Sequence, residues 1–546
     1  MKSKAQAVFD TAKMKIDESG VENFFWPLTR REQEIFRDSL IEGLVSISRF
    51  RNDENDEDRD LISAFSQLIL REGMALFFVH TVNQRCIKAG KEPVWPPSNP
   101  YCRSIPLGHA PQVTDSILIK SLSKGPSCHP KWKRFFVKLK HDFGFNGWCL
   151  KILSPARSEV DIYACHTTDV LEEHARCVKD NVRYTLLGEW FSPITDADIE
   201  TSMPLPVGDK ILNEALVVLT YSFKQAGEDL PDFLANYFAN ILVDGSRLVR
   251  LHLDRVKAKS AKIPKRLWTG TGAYLWVRLL RHAVRNAGGD VTGHEHGTGE
   301  SIISYFNTKT FSDLESANRF VTFNTNQKKW LESTIDKRFL VPHQQPAIEV
   351  PEYPEGFVRY AGRPLRGQRR VISQNREKLK VMYVAPIYCG FNPRISHHNM
   401  DIVIVDWQSR LLSKLQEWGF EILLKPHPEG EQRPPISFAE KFGAKVIPGA
   451  FEDVWNLADV YIFDWKTTTA FSTAISTGLP LVMVDFEFEK FAPDMQKLVE
   501  KNCSLVKGWT DASNRLDVDW QALRAAIANP LLGENNELRE KAFKFE

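Results

Sequence analysis

The stretch DVYIFDWKTTTAFSTAISTGLPLVMVDF, residues 459–486, decides the fold class. DVYIFDW is a short apolar run, the length of a strand buried on both faces. Thr467, Thr468 and Thr469 follow it, with hydroxyls suited to starting a helix. TAFSTAISTG reads as a small-residue helix capped by Gly478. PLVMVDF is again a buried strand. Upstream, the same alternation appears as strand KVMYVAPIY (380–388), helix DIVIVDWQSRLLSKLQEWG (401–419, closed by Gly419) and strand FEILLKP (420–426). A short strand AKVIPG (444–449) and a short helix EDVWNLA (452–458) complete the set. Strands alternating with helices predict a parallel, doubly wound sheet.

Working toward the N-terminus, KRLWTGTGAYLWVRLLRHAVRNAGGDVTGHEHGTGES (265–301) repeats strand, Gly turn, amphipathic helix and strand, a second βαβ pattern. RFVTFNTNQKKWLES (319–333) adds a strand and a helix start. GWCLKILSP (147–155) and VRYTLL (182–187) read as short strands, and 209–227 and 231–259 as long helices. Residues 29–50 and 60–90 place apolar residues three and four apart, the helical spacing. Between them RNDENDEDRD (51–60) has no Gly at the sixth loop position of an EF-hand and no Glu at the twelfth, and is expected as a solvated loop. The Pro- and Arg-rich run 341–370 is a linker. The expected domains are a helical region 1–145, a Rossmann-like domain 146–345, a linker 346–378 and a second Rossmann-like domain 379–546.

A chain of 546 residues exceeds one core and suggests roughly three domains. Its 43% hydrophobic and 26% charged residues are those of a globular protein. With 71 basic and 69 acidic side chains the net charge is +2, which gives no support for a nucleic-acid partner. The eight cysteines include no CxxC pair, so neither a zinc ribbon nor a thioredoxin motif is expected, and a reducing compartment is. No N-terminal signal peptide is read, nor any apolar run of about 20 residues able to span a bilayer. The expectation is a cytoplasmic protein. The basic segment 247–266 is either a solvated helix face or a peripheral contact with the inner membrane.

Polar clusters fall where the predicted strands end, and in α/β sheets ligands bind beyond the carboxyl ends of strands. Lys425 and His427, set between prolines in KPHP, either meet a phosphate or only shape a surface loop. Asp464 ends a strand before the three threonines, where amides and hydroxyls at a helix start suit an anion. One threonine would serve as an ordinary N-cap regardless. In GHEHGTGES, His294, Glu295 and His296 are general-base candidates, with Glu300 nearby and Gly297 and Gly299 allowing close approach. Their adjacent spacing lacks the i, i+4 pair of a helical metal site. Gly270 and Gly272 in WTGTGAY form half a dinucleotide fingerprint or a close-packed turn, so nicotinamide chemistry is not supported. Asp229 and Asp232 are either further carboxylates for catalysis or helix-start residues.

These motifs resemble those of GT-B glycosyltransferases, in particular bacterial CDP-glycerol glycerophosphotransferases and capsule-polysaccharide or Kdo transferases. VAPIY, KPHP at 425–428, ADVYIFDWKTTTAF, STGLPLV and His296-Gly297 carry the likeness, which covers about 380–490 well and 265–335 thinly. It leaves the first ~200 residues uncovered. Threonines stand for the usual Ser-Ser, and Trp465 for the usual Tyr. The resemblance implies a nucleotide-sugar donor, with a cytidine nucleotide in a Kdo-like transfer preferred, and a glycan or glycolipid acceptor for a bacterial surface polysaccharide or lipopolysaccharide precursor. It implies that Lys425, His427, Asp464, Thr467, Thr468, Thr469 and the Gly270 and Gly272 turn face the donor, that His296, Glu295 or His294 serves the acceptor, and that no metal or cofactor is needed. A nucleotide-sugar 2-epimerase and a non-catalytic glycan-binding scaffold share the frame.

Overall fold

The computed structural model describes residues 5–49, 56–126, 161–195, 197–198, 204–259, 262–297, 302–303, 309–340, 345–353, 355, 359–360, 365, 378–388, 400–427, 441–533 and 536–545. The strand expected at 147–155, Gly299, Glu300, Pro428 and much of the expected linker lie outside these residues.

Two long helices lead, α1 (Arg30–Arg49) and α2 (Asp56–Lys88). Residues 56–60 of the acidic run form the first turn of α2 rather than a loop. There, carboxylates suit the positive end of the helix. Asp58 pairs with Arg250, and Arg59 with Glu214. By length and composition α2 could cross a membrane, contrary to the expectation that no such run exists. Most of it is buried against the protein's own helices, so its apolarity already has a partner in the core.

The first sheet is built from β1 (Ile162–Cys165), α3 (Asp169–Cys177), β2 (Val182–Tyr184), α4 (Asp209–Gln225), α5 (Asp232–Lys257), β3 (Arg266–Thr269), α6 (Leu275–Asn286), β4 (Asp290–His294), β5 (Arg319–Val321), α7 (Thr325–Thr334) and β6 (Ala347–Glu349). All six strands are parallel, in the spatial order 2-1-3-4-5-6. The run expected to open the linker instead begins with β6, which pairs with β5 at the sheet edge. Helices α4 and α5 pack on α1 and α2, so the N-terminal helices and these two make one layer and share one core. A buried ion pair, Arg278 with Glu315, joins α6 to the segment before β5, and Ser63 of α2 bonds to both partners.

The second sheet contains β7 (Lys380–Val384), α8 (Asp401–Glu417), β8 (Glu421–Lys425), β9 (Lys445–Val446), β10 (Val460–Phe463), α9 (Thr469–Ile475), β11 (Leu481–Asp485), α10 (Pro493–Asn502), β12 (Ser504–Thr510), β13 (Leu516–Val518) and α11 (Trp520–Ala528). Its order is 9-8-7-10-11-12-13, parallel except for the last strand. The chain is therefore an α/β protein with two largely parallel sheets, of six and seven strands, and an N-terminal helical region. Gly419 and Gly478 hold φ values of +80° and +70°, the left-handed stops that ended their helices in the sequence.

Among the described residues, segments remote in the chain tie the two sheets together. Residues 5–29 reach the second: Val21 N–H donates to Asp406 (2.9 Å) and Asn514 donates to Trp26 O (2.7 Å). The segment after β4 crosses to it, where Ile303 pairs with Phe491 and Ala492 N–H donates to Ile302 O (3.1 Å). The last helix, α12 (Asn536–Phe543), returns to the first sheet. There Asn324 Nδ2 donates to the carbonyls of Lys541 (3.2 Å) and Lys544 (3.0 Å), and Phe545 packs on Phe323, Val321 and Val170.

Candidate functional site

In the second sheet the chain runs outward from β7 in both directions, first through β8 and β9, then through β10 and β11. Such a reversal opens a crevice above the carboxyl ends of the two strands where it occurs. The register places Lys425 and Phe463 level on either side of Val384. Two strand spacings separate them, about 10 Å. Lys425, His427 and the 464–469 loop therefore leave the same edge of the same sheet around one crevice.

Asp464 stands at its centre and is 7% exposed. Its Oδ2 accepts from Tyr383 Oη (2.6 Å) on β7 and from Trp407 Nε1 (2.8 Å) on α8. Its Oδ1 is buried and meets no hydrogen-bond partner among the described residues. Burial pushes the carboxyl up to about 6, against the pull of the Tyr383 and Trp407 bonds. Lys466, the next charged residue, is also buried. Its Nζ pairs with Asp485 (2.7 Å), donates to Glu489 O (2.5 Å) and lies 4.2 Å over the Phe491 ring. Burial raises the Glu489 carboxyl to about 7. Asp464, Lys466, Asp485 and Glu489 surround a cavity of about 10 Å³, the space of one water.

The three threonines divide their work. Thr468 is the N-cap of α9, accepting from Phe471 N–H at 3.0 Å. Thr467 Oγ1 accepts from Trp465 Nε1 and donates to Glu489 Oε1 (3.3 Å). Thr469 is exposed as the first residue of a seven-residue helix. Capping and loop closure thus account for two of the hydroxyls. Lys425 is buried with Nζ donating to Pro426 O (2.7 Å), and His427 is half-buried.

The residues expected to face the donor are not all together. Gly270 and Gly272 belong to the first sheet, after β3, and a Cβ at either would collide with protein: His166 O and Thr168 at Gly270, Ser312 O and Arg281 at Gly272. The close approach those glycines permit is made by the chain itself. Gly270 N–H donates to His166 O (2.9 Å) and Gly272 N–H to Asp313 Oδ1 (2.8 Å).

The GHEHG motif also separates by residue. His294 is fully buried, its Nε2 3.0 Å from His174 Nδ1 and its Nδ1 3.3 Å from Thr269 O, and burial holds its imidazole far below the usual range. Glu295 is fully buried in a pair with Lys309 and accepts from Gln327 Nε2 (3.0 Å) and His296 N–H (2.9 Å). Both are held inside the fold by partners on neighbouring elements. His296 alone of the three is exposed. Asp232 opens α5 as a first-turn acid. Positively charged residues of the basic segment are engaged by the protein itself: Arg247 with Asp244, Arg250 with Asp58, Arg255 with Asp198, Arg266 with Asp180, and Lys259 with the Glu189 carbonyl.

Sequence reasoning missed Lys466, Asp485 and Glu489, although all follow carboxyl ends of buried strands, which was a usable signal. It also missed His166 and His174, because DIYAC was not read as a strand. Among the described residues no group of three or more His, Cys, Asp or Glu is placed to hold a metal ion. A larger cavity, about 290 Å³, lies between α7 of the first sheet and α10 and α12, lined by Asn326, Trp330, Asp494 and Lys541 among others. Compared with the models of known protein families and with curated proteins, the sequence matches none.

Proposed function

We propose that this chain is a glycosyltransferase of GT-B architecture that moves a sugar from a nucleotide donor to a hydroxyl of a surface-glycan precursor. The observation that carries the reading is the crevice at the β7/β10 reversal, with Lys425 and His427 on one side and Asp464 to Thr469 on the other. That is the place where parallel sheets of this order take nucleotides. Lys425 and His427 would neutralise the donor's phosphate as the leaving group gains charge. The unpartnered Asp464 Oδ1 would accept from a donor hydroxyl or amine. His296, exposed at the carboxyl edge of the first sheet, would face the acceptor. The segment that follows it reaches Phe491 in the second sheet, which brings the two edges into one structure. The preference for a cytidine nucleotide rests on the resemblance alone.

The test is a thermal-shift panel of CMP, CDP, UDP and their sugar conjugates on the wild type and His427→Ala. A ligand at 100 times its Kd stabilises the native state by about 2.7 kcal/mol, which is visible as a raised Tm. At least one nucleotide is expected to shift the wild type and to lose most of that shift in His427→Ala. No shift with any member of the panel would sink the reading and favour a scaffold role.

A further inference from the structure

We propose that Tyr274, His166 and His296 form a sugar-binding ledge on the first sheet, in which His166 hydrogen-bonds a sugar hydroxyl. Taking that sugar as the acceptor rests on the transferase reading above; the ledge itself does not.

The first sheet has its own reversal. From β1 the chain goes to β2 on one side and to β3 on the other, so a crevice opens above the carboxyl ends of β1 and β3. His166 follows β1 directly, Tyr274 immediately precedes α6 after β3, and His296 lies just past β4. Their rings form a row. His166 and Tyr274 have centroids 4.4 Å apart at 41°, and His166 and His296 5.9 Å apart at 30°. Tyr274 is 53% exposed, and His296 is exposed as well. His166 is the middle ring of the row, with the exposed Tyr274 on one side and the exposed His296 on the other.

His166 is held in place rather than merely left there. Its φ is +52°, a left-handed value that non-glycine residues adopt sparingly, and its carbonyl is fixed by the Gly270 N–H bond. Its Nδ1 is buried and has no partner among the described residues, which leaves Nε2 as the ring atom able to serve a ligand. Burial and the neighbouring His296 hold its imidazole down to about 4, so the ring is neutral near pH 7 and a ring nitrogen can accept a hydrogen bond from a hydroxyl. The chemistry of such a ledge is specific. A sugar presents an apolar C–H face to an aromatic ring and hydroxyls at its rim to imidazole nitrogens.

Saturation-transfer NMR on the full chain tests this, with methyl glucosides, galactosides and mannosides at millimolar concentration as probes. At least one glycoside is expected to show transfer to its ring C–H protons, reduced fivefold or more in Tyr274→Ala and in His166→Asn. Asparagine tolerates the left-handed backbone, and Tyr274 is exposed, so both variants should keep the wild-type Tm within a few degrees. If His166→Asn does not fold, Tyr274→Ala decides. No transfer in the wild type, transfer unchanged in both variants, or displacement of the glycoside by cytidine would overturn the proposal. Loss in Tyr274→Ala alone would overturn the role given to His166. Nucleotide thermal shifts on the same samples separate the two readings: both variants should keep them, and their absence from the wild type would count against the transferase, not against the ledge.

Discussion

Asp464 and Glu489 are acids placed where ionisation costs the folded state more than the unfolded one. Their values of about 6 and about 7 stand above the ordinary carboxylate values of about 3.9 and 4.3. The sign follows from proton binding. Below about pH 4 both states hold the protons and nothing changes. As pH rises toward 7 the unfolded chain releases protons that the folded chain keeps, so these groups make stability fall with rising pH. For Asp464 the effect is on the order of 3 kcal/mol. Asp464→Asn keeps an oxygen for the Tyr383 and Trp407 donors and removes the titration. Its stability relative to wild type, from urea melts, is expected to rise by roughly 2–3 kcal/mol between pH 4 and pH 8. A constant difference across that range would show that Asp464 titrates normally. The lone oxygen of this residue could not be read from FDWK, because it depends on which atoms of β7 and α8 arrive beside it.

At the scale of elements, local sequence was most readable where one segment makes its own structure. Gly419 and Gly478 end α8 and the turn after α9 as expected, since a positive φ is a property of one residue. The central strands of the second sheet, β7, β8, β10 and β11, were equally plain from their unbroken apolar runs. Thr468 illustrates a limit: the triplet looked richer than a cap requires, yet Thr468 caps α9 and Thr467 closes the loop onto Glu489. Thr468→Ala is expected to cost about 1 kcal/mol of stability by losing the Phe471 N–H bond. Denaturant melts check it, and a cost below about 0.3 kcal/mol would show the cap to be idle. The ion pair of Arg278 and Glu315 belongs to no single element. It links α2, α6 and the segment before β5 with no solvent to compensate a broken half. Arg278→Met should therefore destabilise by about 3–5 kcal/mol, because it leaves Glu315 buried without its cation. Arg278→Met together with Glu315→Leu should recover most of that loss, a recovery that a purely steric role for Arg278 would not show.

The whole molecule is held together by segments remote in sequence. Residues 5–29 fasten to the second sheet, the stretch after β4 reaches Phe491, and α12 returns to the first sheet. Phe545 is 1% exposed against Phe323 and Tyr353. Phe545→Ala is expected to cost about 3–4 kcal/mol and to loosen the return of α12 to the first sheet. Hydrogen exchange should then rise in α12 and in α7, whose cap Asn324 holds the Lys541 and Lys544 carbonyls. Unchanged protection in α7 would mean that the return is not coupled to the sheet.

The sequence by itself determined that this protein would be α/β with two parallel sheets and helices at its N-terminus, because strand and helix periods are local properties of the chain. It also placed polar residues at the carboxyl ends of strands, since each motif travels with its strand. Only the tertiary structure decided which of them are buried. His294 and Glu295 turn inward to His174 and Lys309 while His296 stays out, and the chain itself makes a close approach at Gly270 and Gly272. The reason is physical. Exposure and hydrogen-bond partnership are set by neighbours remote in the chain, such as His174 for His294 and Lys541 for Asn324, and no periodicity along one segment records them.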